Sequence, residues 1–198
     1  MTSFTFSDGL APELYPLAWL VGTWRGPGVL SYPGISERPI VVEASFTHDG
    51  GPYLAYSATT YLLAGEAPAA EQEFDPLELQ AGEIWGTESG FWRIAPGIEA
   101  HPVAGAPADG PAPNALEITL SDPSGLVSVL AGSAQGPRID AASDWMARTG
   151  SSTADISAQR RMYGWVHGTI FWAQDIAGFG HELQTYATGR LARLDAQD

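Results

Sequence analysis

The sequence predicts an all-β fold, about ten antiparallel strands in an up-and-down barrel behind a short N-terminal helix, and three observations lead there. Seven Trp, seven Tyr and seven Phe make the chain aromatic-rich, and its apolar segments are short and bounded by Gly or Pro. From Ile40 to Asp49 the residues alternate, with Val42, Ala44, Phe46 and His48 on one face and Val41, Glu43, Ser45, Thr47 and Asp49 on the other. Hairpin signals recur along the whole chain. Ten sequential strands close most economically into a barrel, whose interior is too wide for side chains alone to fill and normally holds a ligand.

Leu17, Ala18, Leu20 and Val21 suit a short helical element over Pro12 to Val21, which Gly22 ends. From Thr23 the period becomes two and sends Trp24, Gly26, Gly28, Leu30 and Tyr32 to one face of a first strand. YPGISERP reads as a turn-rich loop, HDGGP as a hairpin turn, and Tyr53 to Leu63 as the returning strand. Ala64 to Gly82, acidic and rich in Ala and Pro, is expected to be a mobile surface excursion. Next, EIWGTESGFWRI reads as two short strands, Glu83 to Thr87 and Phe91 to Ile94, joined by an ESG turn. Ala95 to Asn114 is a second loop. Strands follow at Ala115 to Leu120, Leu126 to Ala134 and Arg138 to Ala141, with Trp145 to Ala154 irregular. Three strands close the chain, at Ile156 to Val166, Thr169 to Ile176 and Glu182 to Leu194.

At 198 residues the chain suits one domain, read as a flexible arm over 1–13 and a barrel over 14–198. It has no cysteine, which removes disulfides and thiolate metal sites. A formal charge of -14, with nine Lys and Arg against 23 Asp and Glu, argues against binding nucleic acid or an anionic membrane. With no run of eighteen apolar residues and no signal-peptide pattern at the start, the expectation is a cytoplasmic protein. A homodimer is compatible with all of this.

Gly26 and Gly28 share a face with Trp24, and glycine inside a strand needs a reason. Two compatible readings are open: space for a cavity floor beside the indole, or freedom for the strand to coil hard enough to close a small barrel. His101 and His167 fall in loop or turn contexts, and no His pair has metal-ligand spacing. Phosphate loops and nucleophile elbows are absent from the sequence.

Gly22-Thr23-Trp24-Arg25-Gly26-Pro27-Gly28 fits G-x-W-x-G-x-G, and Phe46-Thr47-His48-Asp49-Gly50-Gly51-Pro52-Tyr53-Leu54 fits F-x-H-x-G-x-P-x-L. With LAWLVGTW before and DIAGFGHELQTYATGRLAR after, the chain resembles the nitrobindin family of heme-binding, fatty-acid-binding-like (calycin) β-barrels. The likeness covers Leu17 to Leu63 and Arg160 to Arg193. It implies a ten-stranded barrel with ferric heme b at one mouth, an axial His from the last strand, and isomerisation of peroxynitrite to nitrate. It also makes Gly22, Trp24, Gly26 and Gly28 cofactor-site positions.

The family's last strand carries its axial His six positions after a glycine, and six after Gly180 is Tyr186. The resemblance therefore puts a phenol at the iron-ligand position. Tyr186 reads either as a phenolate ligand, activated by a cation such as Arg190 if the strand has no bulge, or as a hydrogen-bonded tyrosine in an apolar cavity. His181, just past the AGFG turn, reads either as a solvated rim residue facing opposite to Tyr186 or as the heme-iron ligand in its place. His48 reads as bordering the pocket mouth or capping its hairpin. Trp24 with Arg190 or Arg193 suits a stacked closure between first and last strands. The preferred functional reading is a barrel that binds a small planar or apolar molecule without the usual His-ligated heme. An active heme-dependent peroxynitrite isomerase and a fatty-acid or lipocalin-type carrier are the alternatives.

Overall fold

The computed structural model describes residues 8–69, 72–107 and 109–194. The first element is a 3-10 helix, Pro12–Leu20, with prolines at its start and at Pro16. A proline inside removes a backbone donor and crowds the preceding turn, which disfavours a regular α-helix. Leu14, Leu17, Ala18, Trp19 and Leu20 are buried, so nearly the whole element enters the core. Leu10 is buried with them, while residues 1–7 of the expected arm lie outside the described residues.

Ten strands follow: β1 (Gly22–Tyr32), β2 (Ile35–Thr47), β3 (Leu54–Leu63), β4 (Ala81–Ile94), β5 (Asn114–Ser121), β6 (Leu126–Gln135), β7 (Arg138–Arg148), β8 (Ile156–Val166), β9 (Thr169–Gly178) and β10 (His181–Arg193). Each pairs antiparallel with its sequence neighbours, and β1 pairs with β10 to close the barrel. The helix packs against the end defined by the start of β1 and the end of β10, where Trp24, Trp92, Leu116, Ile118 and Leu130 are almost wholly buried. This is the closed end. The starts of β4, β8 and β10 and the β5–β6 turn ring the opposite end, the mouth. Among the described residues no helix is long and apolar enough to cross a membrane.

Several elements differ from expectation. YPGISERP is not a loop: a tight turn with Gly34 at φ 86° lets β2 begin at Ile35. The ESG segment is not a turn, because Ala81–Ile94 is one continuous strand. Gly90 is there for close approach, since a Cβ on it would lie 1.7 Å from the Thr119 carbonyl oxygen of β5. Trp145 to Arg148, expected irregular, extends β7 through its pairing with β6.

The acidic insert is pinned rather than loose. Arg25, buried on β1, forms a 2.8 Å ion pair with Glu43 and donates to the carbonyls of Pro76 and Leu79. Arg190 donates to the Ala69 carbonyl at 2.8 Å and stacks over Phe74 at 4.8 Å. The 95–113 loop is held likewise, with the Val103 N–H donating to Gln135 Oε1 at 2.9 Å.

Candidate functional site

The mouth half of the barrel encloses a cavity of about 500 Å³. Its walls are apolar, with Val42, Ala44, Ala58, Leu120, Ile170 and Ile176 among them. Its floor is polar. Arg161 of β8 forms a bidentate pair with Glu88 of β4, at 2.8 Å to Oε1 and 2.6 Å to Oε2. Four steps of the strand order separate β4 from β8, so the pair bridges the lumen. Tyr56 Oη donates to Glu88 Oε1 at 2.8 Å, and Arg161 Nε donates to Gln159 Oε1 at 3.2 Å. Tyr163 stands beside Arg161 and packs edge-on against Trp92 below, with ring centroids 5.2 Å apart.

Burial alone would raise the Glu88 carboxyl, but the Arg161 charge and the hydrogen bonds from Arg161 and Tyr56 outweigh it and hold Glu88 below the usual carboxylate range. Arg161 is correspondingly driven well above its ordinary value, because the Glu88 charge overcomes desolvation. Both groups are therefore charged at neutral pH, and their charges cancel locally. The phenols of Tyr56 and Tyr163 are pushed up, chiefly by burial.

At the mouth, Trp85 Nε1 donates to Tyr186 Oη at 2.6 Å. Both residues occupy β-bulges. Thr60 pairs with Gly86 and Tyr61 with Ile84, leaving Trp85 extra. Thr185 pairs with Asp175 and Ala187 with Gln174, leaving Tyr186 extra. Bulges re-aim side chains, and these two direct an indole and a phenol toward each other from nearly opposite walls. Burial raises the Tyr186 phenol above its ordinary value, although the Trp85 N–H and the Arg161 charge pull the other way.

Of the residues singled out in the sequence, Tyr186 lines the cavity. Its bulge reverses the alternation beyond it, so Arg190 does not share its face and instead holds the insert outside. His181 is exposed at the rim, edge-on to Tyr32 with centroids 5.9 Å apart. His48 lies just past β2 at the closed end, so it does not border the mouth and does not line the cavity. Gly22, Trp24, Gly26 and Gly28 are also absent from the lining. At this seam the glycines sit where the β10 backbone comes close: a Cβ on Gly26 would sit 2.0 Å from the Arg190 carbonyl oxygen, and one on Gly28 2.5 Å from that of Thr188. Trp24 is fully buried, donates to the Leu20 carbonyl at 2.7 Å, and carries the Arg193 guanidinium 4.4 Å from its ring. That contact is the expected stacked closure, made by Arg193.

Sequence reasoning missed Glu88, Arg161, Tyr56, Tyr163 and Gln159. One signal was available: Arg160 and Arg161 are adjacent in a strand, so one of them must face inward.

A helix-plugged, ten-stranded antiparallel barrel with an open cavity defines a calycin-like small-molecule-binding protein. Residues 13–193 match the model of the THAP4-like, heme-binding beta-barrel domain. The chain is 51% identical over 210 residues to a ferric nitrobindin-like protein of Beutenbergia cavernae, covering 97% of this chain and 99% of that one. It is 35% identical to a peroxynitrite isomerase of Leifsonia xyli subsp. xyli, over 94% and 96% of the two chains. The crystal structure of Rv2717c from M. tuberculosis shares the fold, with a TM-score of 0.68 and 23% identity over 93% of this chain and 98% of that one. The protein belongs to the nitrobindin family of heme-binding β-barrels.

Proposed function

We propose that this chain is a binding protein of the family that takes a small planar or apolar molecule into its cavity without the His-ligated heme that the sequence resemblance implies. The cavity suits such a guest in size and in its apolar walls. The observation that carries the reading is the donor set: among the described residues, no histidine lines the cavity. Its three phenols, Tyr56, Tyr163 and Tyr186, are all pushed toward the protonated form. Ferric iron takes a tyrosine as phenolate, so this environment works against ligation. Tyr186 Oη is also occupied by the Trp85 indole. These residues do not fit an iron-ligated heme, and no reaction step is assigned to one.

Titration of the purified protein with hemin tests the reading, alongside uptake of a neutral apolar fluorophore. The expected result is saturable fluorophore binding and no sharp Soret band. A sharp band abolished by Tyr186→Phe would establish tyrosinate ligation, and one lost only in His181→Ala would assign the iron to His181; either outcome overturns the proposal. Relatives called peroxynitrite isomerases, at 31–35% identity, make a second measurement worthwhile. Peroxynitrite decay should be unchanged by this protein with or without added hemin.

A further inference from the structure

Resting on the reading of the cavity as a small-molecule site, we propose that its floor selects guests with a neutral hydrogen-bonding head and rejects carboxylates. The floor is a closed ion pair. Arg161 makes both of its carboxylate bonds to Glu88, and its Nε bond goes to Gln159. A fatty acid or other anion seated there would meet a cation whose charge is already spent, with the Glu88 carboxylate directly beside it. Like charges in a desolvated site repel strongly, and taking the guest's own charge out of water adds a further cost.

A neutral amide, phenol or alcohol meets no such obstacle. The Arg161 guanidinium also bonds the Tyr163 phenol, and Tyr163, Gln159, Gln174, Thr60 and Ser128 line the same space with hydroxyl and amide groups. An uncharged head can exchange bonds with these while its apolar body lies between Ala44, Ile170 and Ile176. Glu88 thus acts as the specificity residue: it holds Arg161 in place and cancels the charge that would otherwise attract an anion.

A matched pair of probes decides this: 2-naphthamide and 2-naphthoate, nearly identical in shape and different in charge, titrated calorimetrically at pH 7. The amide should bind wild type more tightly by about tenfold or more, the scale of one unfavourable charge contact in a partly desolvated site. In Glu88→Gln the order should reverse, because Arg161 is left with a neutral partner. In the double variant Glu88→Gln/Arg161→Gln the naphthoate should lose that gain. Equal or tighter binding of naphthoate by wild type would overturn the selectivity while leaving the binding reading intact. Binding of neither probe would remove both. The wild-type ratio stands on its own should Glu88→Gln fail to fold, and a folded Glu88→Gln without the reversal would also overturn the proposal.

Discussion

Among single residues, Glu88 and Arg161 carry the largest consequences. The Arg161 side chain is 6% exposed and that of Glu88 22%, so removing one partner strands the other charge out of water. Arg161→Met alone should cost about 3–5 kcal/mol, and adding Glu88→Leu should recover most of it, because a buried pair replaced by apolar groups is often near neutral. Urea unfolding followed by tryptophan fluorescence measures both; equal losses in the single and double variants would show that the pair is not what the fold depends on. The same pair gives the barrel an acid limit. Glu88 has its folded pKa depressed, so its stabilisation is complete above the ordinary glutamate value of 4.5 and disappears as pH falls through the lower folded value. Wild type should therefore lose stability below about pH 4.5 more steeply than the Glu88→Leu/Arg161→Met double variant, as thermal melts across that range would record. Little of this was legible in the sequence. Glu88 sits in a Glu-Ser-Gly string that matches a turn, and only continuity of the strand through Gly90 places it on the inner face with Trp92.

Pairs of elements meet at the mouth, where β4 and β10 touch across the opening although neither borders the other in the sheet. The Trp85–Tyr186 hydrogen bond is a latch between two bulges, and Trp85 is still 37% exposed. Both residues line the cavity. Tyr186→Phe removes the accepting oxygen but keeps the ring, so it should speed both entry and release of a neutral fluorophore several-fold while changing the equilibrium affinity little. Stopped-flow fluorescence reads the two rates, and unchanged rates would dismiss the latch. The family resemblance, not strand alternation, drew attention to Tyr186, whose side chain lines the cavity from a bulge. Its supposed partner Arg190 was not legible, because a bulge adds one residue and turns every later side chain to the other face. Bulges leave no clear mark in the sequence of a single strand, and neither does the indole that reaches Tyr186 from 101 residues away.

For the whole molecule, closure is decided at the seam between β1 and β10, and this part was the most legible. The glycine-rich first strand marked the place, although read as a cavity floor or a sharp coil, and the Trp24–Arg193 stack and the glycine contacts lie along that one seam. The consequence is a strong contrast between glycines. Gly26 faces backbone: an added Cβ would lie 2.0 Å from the Arg190 carbonyl oxygen and 2.9 Å from Leu191 Cα, neither of which can rotate away as a side chain could. Relief requires β10 to move off β1, loosening the pairing of Trp24 with Arg193 and of Gly28 with Gly189. Gly164, inside β8, has nothing within 4 Å of the same position. Gly26→Ala should therefore destabilise by at least about 1–3 kcal/mol. Gly164→Ala should be neutral or slightly stabilising, since alanine restricts the unfolded chain at a position where its own backbone is unstrained. Thermal unfolding of the two variants side by side separates a seam held by close backbone contact from a general intolerance of side chains in the strands: comparable losses in both would mean that the glycines serve strand coiling everywhere and the seam has no special status.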